Sequence, residues 1–281
     1  MNLPNVTIKQ LLEAGVHLGH KTFRWNPKMD KFIFGAKNSI HIIDLVQTIE
    51  MFNSALVEVH KCIASGGKIL FVSTKKQATD TISALAKETN QYYVNHRWLG
   101  GMLTNWKTIS NSIKYYKKIS EELEKETKGL TKKEILKMSR ERDKLERSLG
   151  GISEMKKTPE LIFIIDTNVE SLAVKEAIKL KIPIIAVVDT NSDPSGIDFP
   201  IPGNDDARRA INLYCDLIKD TVLDAQKNIS KTPLENLELD KKNNFVKKED
   251  VKKEESKSNP KKSAKSIFSK IKSLATKNLK K

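Results

Sequence analysis

The sequence has little of what a secreted, disulfide-stabilised or membrane-spanning protein needs. Only two of its 281 residues are cysteine, which is too few for a disulfide framework or a four-cysteine zinc site. This scarcity favours a reducing, cytosolic setting. No segment approaches the roughly 18 consecutive apolar residues of a membrane span. The first ten residues lack both a basic segment followed by an apolar stretch and any Arg or Ser, so we expect neither a secretory signal nor a transit peptide.

The motifs of nucleotide-binding and catalytic proteins are also missing. No G-x-G-x-x-G follows a predicted strand, and G-x-x-x-x-G-K-[ST] occurs nowhere in the chain. No nucleophile elbow accompanies a Ser/His/Asp or Cys/His set. We therefore expect a protein that is not an enzyme and that uses no cofactor and no small-molecule substrate. A nucleotide binder or enzyme built on an α/β sheet is the rival hypothesis.

What the sequence has in excess is positive charge. It contains 50 Lys and Arg against 35 Asp and Glu, a net charge of +15. Such a balance makes a polyanion the expected partner, first nucleic acid and second an anionic membrane surface. The charge is uneven, because residues 227–281 have 17 lysines against seven acidic residues and residues 104–150 carry a net charge of +5. The rest of the chain is electrically balanced.

The carboxyl-terminal tail, residues 227–281, is rich in Lys, Ser and Asn and is predicted to be largely disordered. Ile267, Phe268 and Ile271 recur at helical spacing among its lysines. This spacing indicates either a basic amphipathic helix that forms on a partner or a solvated tail with incidental apolar residues. Attachment to a membrane surface through such a helix is a third functional hypothesis.

Residues 1–226 alternate between strand and helix patterns. Five short apolar segments have the length of strands: 68–73, 92–94, 161–165, 184–188 and 198–202. The third and fourth are near-continuously apolar, as parallel strands covered on both faces are, and the prolines of the fifth favour a sheet edge. Apolar residues at helical spacing lie between the segments and also before the first of them, where Asp44 is the predicted N-cap of a helix. The alternation predicts a doubly wound α/β domain with a parallel sheet.

Residues 104–150 do not fit this alternation. They contain two helical stripes separated by Gly129, and the second stripe begins with the capping-box residues Thr131 and Glu134. This pattern predicts a helical hairpin, of coiled-coil type, inserted between two strands. A narrow charged hairpin of this kind is more typical of an interaction arm than of a catalytic element.

Polar residues follow three of the predicted strands and leave alternatives open. Residues 73–76, which include Lys75, lie where a strand passes into a helix, and their backbone N–H groups indicate either an anion site or an ordinary capped helix start. Asp166 and Asp189 each begin an Asp-Thr-Asn triplet, which suits either Mg²⁺ or caps and turns. His17 and His20 have the spacing of two metal ligands or belong to a structural loop. We favour the structural interpretation each time and predict no metal.

Two segments, residues 21–28 and 95–107, combine cations with aromatic rings and contain all three tryptophans. The first contains Lys21, Phe23, Arg24, Trp25 and Lys28. The second contains Arg97, Trp98, Trp106 and Lys107. Cations neutralise phosphates, and rings and guanidinium groups stack on exposed bases. The alternative is that the rings anchor the loops to the core. For Trp98 we favour neither interpretation, whereas for Trp25 we favour RNA contact.

These segments belong to a longer series of motifs that resembles a known family. The series occupies residues 14–29, 34–44, 71–77, 97–105, 189–194 and 201–206. In its composition and order it resembles the bacterial small-subunit ribosomal protein two (S-two) family over residues 5–226. The resemblance implies a flavodoxin-like α/β domain with a protruding coiled-coil hairpin and a non-enzymatic role.

The resemblance also implies partners and contacts. It implies a cytoplasmic, ribosome-bound protein that contacts neighbouring small-subunit proteins and binds small-subunit rRNA near the junction of head and body. It further implies a part in recruiting the large mRNA-binding protein S-one. Eight residues of the matching motifs are expected to contact RNA: Lys21, Arg24, Trp25, Asn26, Lys28, Arg97, Asn105 and Lys107. The tail, residues 227–281, departs from the common family core and takes no role from the resemblance.

Overall fold

The structure is a computed structural model that describes residues 4–125 and 131–227. The tail, residues 227–281, lies outside the described residues except for Lys227. Its predicted disorder and amphipathic helix therefore stay predictions. Within the described ranges, no helix is long and apolar enough to cross a membrane.

A small antiparallel sheet near the amino terminus was not predicted from the sequence. Helix α1 (Ile8–Ala14) precedes strands β1 (Leu18–Lys21), β2 (Ile33–Lys37) and β3 (Ile40–Ile43), which pair in the order β1-β3-β2. Asn38 and Ser39 join β2 to β3 and both have positive φ, of 52° and 59°, as a tight two-residue hairpin turn requires. Register irregularities interrupt both strand pairings, so no regular alternation marks these strands in the sequence.

The main sheet confirms the predicted parallel arrangement. Its strands are β4 (Ile69–Val72), β5 (Tyr92–Val94), β6 (Leu161–Ile165), β7 (Ile184–Val188) and β8 (Phe199–Pro202). All pairings are parallel, in the order β5-β4-β6-β7-β8. Every residue of β4, β6 and β7 is buried, as their apolar runs predict. Strand β8 lies at an edge, where its prolines remove no ladder hydrogen bond.

Helices cover both faces of this sheet. They are α2 (Leu45–Ala64), α3 (Thr79–Glu88), α4 (Trp106–Glu124), α5 (Lys132–Leu149), α6 (Ser171–Leu180) and α7 (residues 208–227). Asp44 caps α2 as predicted, since its side chain accepts a hydrogen bond from Val46 N. One apolar cluster contains buried residues of α2, α3 and α7, including Phe52 and Tyr214. A second, on the other face, joins α6 to the base of α4 and α5.

Helices α4 and α5 form the predicted helical hairpin. The capping box of Thr131 and Glu134 is present at the start of α5. Ile109, Ile113 and Leu149 are buried in the second apolar cluster, which fixes the hairpin base to the sheet. Immediately after α5, the backbone of Gly151 passes so close to β5 that a Cβ there would lie 2.1 Å from the carbonyl oxygen of Tyr93.

Candidate functional site

The first basic loop, residues 21–28, is fixed to the carboxyl edge of the main sheet. The backbone N–H of Asn26 donates to the carbonyl of Thr190, just beyond β7, at 2.8 Å. In strand β1, which leads into the loop, the backbone N–H of His20 donates to Thr190 Oγ1 at 2.9 Å. Gly19 allows this approach, because a Cβ at that position would lie 2.7 Å from Thr190 Cγ2. The loop is therefore held on a rigid support.

Within this loop the outer side chains are open to solvent. Lys21 and Arg24 are exposed, and neither makes a salt bridge to any residue in the described part of the chain. The Arg24 guanidinium lies 5.5 Å from the centre of the Phe23 ring, and that ring is 73% exposed. Trp25 is 37% exposed and contacts His41 with ring centres 5.4 Å apart. The loop therefore displays two cations and two aromatic surfaces.

Asn26 and Lys28 have structural contacts in the same loop. The Asn26 side chain accepts a hydrogen bond from Lys28 N and caps the following 3-10 helix. Lys28 Nζ donates to Asp193 Oδ2 at 2.7 Å and to Ser195 Oγ at 3.1 Å. The ammonium of Lys28 lowers the pKa of Asp193 to about 2. RNA contact by Lys28 stays a prediction, and it would compete with this ion pair.

The second basic loop, residues 95–107, is held by a carboxylate that the sequence did not reveal. Glu176 on α6 accepts from the indole Nε1 of Trp98 at 3.0 Å and from the backbone N–H groups of Gly101, Leu103 and Thr104 at 2.8–3.0 Å. Burial opposes ionisation of Glu176, but these hydrogen bonds outweigh it and lower its pKa. Trp98 is buried, so the interpretation of its ring as a core anchor is correct.

Arg97, Asn105 and Lys107 of this second loop are exposed. Arg97 lines a groove of about 470 Å³ between the loop and the hairpin, together with Arg140, Lys144 and Arg147 of α5. We call these four residues the basic groove. None of them forms a salt bridge with a residue in the described ranges 4–125 and 131–227. The sequence signal was the i, i+4, i+7 spacing of the three α5 cations, which places them on one helical face.

The carboxyl edge of the sheet carries carboxylates that exclude the anion-site interpretation of Lys75. Its Nζ lies 2.8 Å from Asp166 Oδ2, 2.8 Å from Asp205 Oδ1 and 2.7 Å from Asp206 Oδ1. Burial disfavours the charged lysine, but these neighbours outweigh burial and raise its pKa. A nucleotide phosphate at this edge would meet several carboxylates and a lysine that is already neutralised. Electrostatics thus oppose the nucleotide-binding alternative.

Three of the four residues considered from the sequence as metal ligands make contacts with other charged groups. Both ring nitrogens of His20 face carboxylates, with Nδ1 2.9 Å from Asp189 Oδ2 and Nε2 3.4 Å from Asp206 Oδ2, rather than acting together with His17. The hydrogen bond that the His20 ring donates to Asp189 raises the pKa of His20, although burial opposes it. Asp166 bonds to Lys75 and accepts hydrogen bonds from the backbone N–H groups of Asn168 and Val169.

Asp205 is the most unusual carboxylate at this edge. It is fully buried, and its Oδ2 has no hydrogen-bond partner among the described residues. Burial, followed by the negative charges of Asp189 and Asp166, raises its pKa to about 7, while Lys75 opposes the shift.

Taken together, the fold and these surfaces define an α/β protein that displays basic loops and a basic hairpin arm on a rigid scaffold. Residues 11–225 match the family model described as "Ribosomal protein S2". The small ribosomal subunit protein uS2 of Parvibaculum lavamentivorans is 60% identical over 224 residues, which cover 80% of this chain and 88% of the relative. The proteins of the same name from Gluconacetobacter diazotrophicus and Phenylobacterium zucineum are 60% and 59% identical, with 86% and 76% of each relative covered.

The chain belongs to the ribosomal protein S2 family. This confirms the resemblance found in the sequence and makes the chain a small-subunit ribosomal protein that acts in translation. Its role is structural rather than enzymatic, and it is associated with the ribosome in the cytoplasm. The family match ends at residue 225, just before the basic tail begins.

Proposed function

We propose that this chain binds small-subunit rRNA near the junction of head and body, through the first basic loop and the basic groove. The observation that carries the proposal is a set of exposed cations, on rigid supports, that the described residues leave without salt bridges: Lys21, Arg24, Arg97, Lys107, Arg140, Lys144 and Arg147. Unpaired cations held in fixed positions suit phosphate binding, because they need not first break an ion pair. The membership of the chain in a ribosomal family supplies the polyanion.

The basic groove suits an RNA backbone. Arg140, Lys144 and Arg147 extend over about 10 Å of α5, since each helical residue advances the chain by about 1.5 Å. Arg97 faces them from the second basic loop, whose position is fixed by the contacts to Glu176. Cations on both sides of the groove would contact phosphates, which carry no sequence information, so this surface would position the RNA.

The first basic loop adds a stacking surface. Phe23 and Trp25 are exposed beside Arg24, and exposed planar side chains stack on unpaired bases of single-stranded loops and bulges. We infer that Trp25 contacts a base, with Arg24 and Lys21 neutralising the adjoining phosphates. Asn26 and Lys28 then contribute mainly by holding the loop to residues 189–195, and Asn105 and Lys107 extend the surface at the start of α4.

The fold suits this role as a rigid scaffold. In chain order, the strands of the main sheet are arranged 2-1-3-4-5, which is the order of flavodoxin-like doubly wound sheets and supports that assignment. The hairpin of α4 and α5 leaves this sheet next to the edge strand β5. We propose that it acts as an arm that extends the RNA surface beyond the sheet.

Binding of this kind is electrostatic docking followed by shape recognition. Each phosphate neutralised releases counterions, which gives a slope of about −0.7 to −0.9 in log K against log salt. Filter binding of the full chain to small-subunit rRNA at increasing salt measures the slope. We expect affinity to fall steeply with salt, and an affinity that stays constant from low to moderate salt would contradict the mechanism.

We further propose, on the basis of the family, that the chain helps to recruit the large mRNA-binding protein S-one to the small subunit. The test compares small subunits purified from cells depleted of this chain with subunits from the same cells after it is restored. We expect depleted subunits to carry little S-one by quantitative mass spectrometry. An unchanged S-one content would exclude this part of the proposal without affecting RNA binding.

A further inference from the structure

Outside the basic surfaces, one cluster at the carboxyl edge of the main sheet combines an imidazole with two buried carboxylates. His20 lies on β1, Asp189 follows β7 and Asp205 follows β8. One ligand atom from each of the three lies within 4.8 Å of the others. Asp189 and Asp205 are buried, and the side chain of His20 is 20% exposed.

The spacing fits the coordination shell of one ion. With metal–ligand bonds of about 2.1 Å, two ligands of the same ion are separated by about 3.0 Å at a right angle and about 3.4 Å at the tetrahedral angle. The separation of 2.9 Å between His20 Nδ1 and Asp189 Oδ2 agrees with the first value. The other separations in this set of three are at most 4.8 Å, so small shifts of the side chains would bring all three ligand atoms onto one ion.

A second, independent feature is the oxygen of Asp205 that has no partner. Asp205 is fully buried, its Oδ1 bonds to Lys75, and its Oδ2 has no hydrogen-bond partner among the described residues. Leaving a buried carboxylate oxygen unpaired is costly, so such an atom needs a cation or donor. The hydroxyl of Tyr214, which is also fully buried, has no partner in the described part of the chain either.

Charge counting points the same way. Lys75 contacts Asp166, Asp205 and Asp206, while Asp189 faces His20. One lysine therefore stands against four carboxyl groups, and when all four are ionised their negative charge exceeds the combined positive charge of Lys75 and a protonated His20. A divalent cation would balance the excess negative charge.

We propose that His20, Asp189 and Asp205 bind one divalent transition-metal ion, with Zn²⁺ as the ion that this donor set favours. Imidazole nitrogen selects Zn²⁺ and its transition-metal neighbours over Mg²⁺ and Ca²⁺, which prefer oxygen ligands alone. Supporting contacts orient the ligands, since Thr190 donates to Asp189 Oδ1 and Lys75 to Asp205 Oδ1. A cavity of about 320 Å³ reaches His20 and Asp189 and gives the ion a route to the site.

The ion would act as a structural link. It would connect β1 of the small sheet to the loops that follow β7 and β8, directly beside Lys21. The first basic loop would then be fixed by the ion as well as by its hydrogen bonds to Thr190. This inference stands apart from RNA binding and can be tested without RNA.

The test is zinc binding to the full chain after treatment with a chelator, measured by equilibrium dialysis and elemental analysis. Asp205→Asn and His20→Gln remove ligands with little change in size. Asp193→Asn is the matched control, because Asp193 lies in the neighbouring loop and pairs with Lys28. We expect one Zn²⁺ per chain, a higher Tm with Zn²⁺, and affinities at least roughly tenfold weaker in both ligand variants and unchanged in the control.

Thermal melts in the presence of chelator show whether each variant folds, and His20→Gln alone decides the test if Asp205→Asn does not fold. Co²⁺ provides a second readout, because its visible absorption reports nitrogen and oxygen ligation. We expect this absorption in the unmodified chain and its loss in His20→Gln. Zinc binding that is absent, or that His20→Gln leaves unchanged, would overturn the proposal. Mg²⁺ binding as tightly as Zn²⁺ would do the same, because imidazole would then contribute nothing.

Discussion

The indole Nε1 of Trp98 donates a 3.0 Å hydrogen bond to Glu176 Oε1. The same carboxylate accepts three backbone N–H groups of the second basic loop, so one side chain of α6 fixes a loop that has no regular structure of its own. Arg97 precedes Trp98 directly. The exposed guanidinium that faces α5 is therefore positioned by a buried ring and a distant carboxylate.

Replacing Glu176 tests this positioning. Glu176→Gln puts an amide group where the carboxylate accepts several hydrogen bonds, so at least one buried donor loses its acceptor. We expect the free energy of unfolding to fall by about 2–3 kcal/mol, because hydrogen bonds to a charged group are worth about 1.5–3 kcal/mol each. Urea denaturation measures it. Glu50→Gln, an exposed position on α2, is the control and should change little.

The lowered pKa of Glu176 adds a prediction on pH. Its folded-state pKa lies below the ordinary value of 4.5, so its contribution to stability is complete above that value and is lost as the pH falls through the folded-state pKa. We expect the stability difference between the unmodified chain and Glu176→Gln to be constant at neutral pH and to shrink as the pH falls below the ordinary pKa of 4.5. A difference that stays constant over this range would show that the charge of Glu176 is not what holds the loop.

Gly19 is expected to be essential for the attachment of the first basic loop. In Gly19→Ala the new Cβ would lie 2.7 Å from Thr190 Cγ2 and 2.9 Å from Thr190 Oγ1, so β1 must move away from the end of β7. We expect a loss of about 1–3 kcal/mol in the free energy of unfolding. The control is Gly35→Ala on β2, where no atom lies within 4 Å of the added carbon. Equal stability of the two variants would mean that the close approach is unimportant.

Trp25 is expected to stack on RNA. Trp25→Ala should weaken binding to small-subunit rRNA by about 1–3 kcal/mol, the usual value for one base stacked on an aromatic ring. Trp25→Phe retains a planar ring and should recover most of the affinity. If the two variants bind equally, the ring contributes no stacking, and its contact with His41 is structural only.

The basic groove is expected to determine the salt dependence. The double variant Arg97→Ala, Arg147→Ala should bind rRNA more weakly. Its plot of log K against log salt should be less steep, with a slope smaller in magnitude by about 0.7–0.9 for each phosphate that is no longer neutralised. Lys61→Ala is the control, because Lys61 lies in the last turn of α2, at the opposite edge of the sheet where β4 begins. Because Lys61→Ala removes one charge and the double variant removes two, a change in slope half as large for Lys61→Ala would mean that only the net charge matters.

The main sheet could be read from the sequence because its strands are buried on both faces. The apolar runs at 161–165 and 184–188 have the length of strands and are continuously apolar, as parallel strands covered on both faces are. The helical hairpin could also be predicted, since each of the two helical stripes separated by Gly129 is apolar on one face only and can bury that face against the other. Asp44 and Thr131 marked helix starts through their side-chain chemistry.

The rest depended on contacts between residues far apart in the chain. Glu176 lies on an ordinary helix, and nothing in its local sequence shows that it accepts hydrogen bonds from residues 98–104. The sequence allowed an anion site near Lys75, but separate segments of the chain bring Asp166, Asp205 and Asp206 into contact with its ammonium group. His20 and Asp189 are 169 positions apart in the sequence. Side-chain sites assembled by tertiary packing leave no local pattern.

The central claim is that the chain is held in the small subunit through the first basic loop and the basic groove. The most direct test is sedimentation of cell lysates through a sucrose gradient, with the unmodified chain and a variant carrying Lys21→Glu, Arg97→Glu and Arg147→Glu. We expect the unmodified chain to sediment with the small subunits. The variant should keep its melting temperature and remain at the top of the gradient. A variant that still sediments with the small subunits at full occupancy would contradict the account.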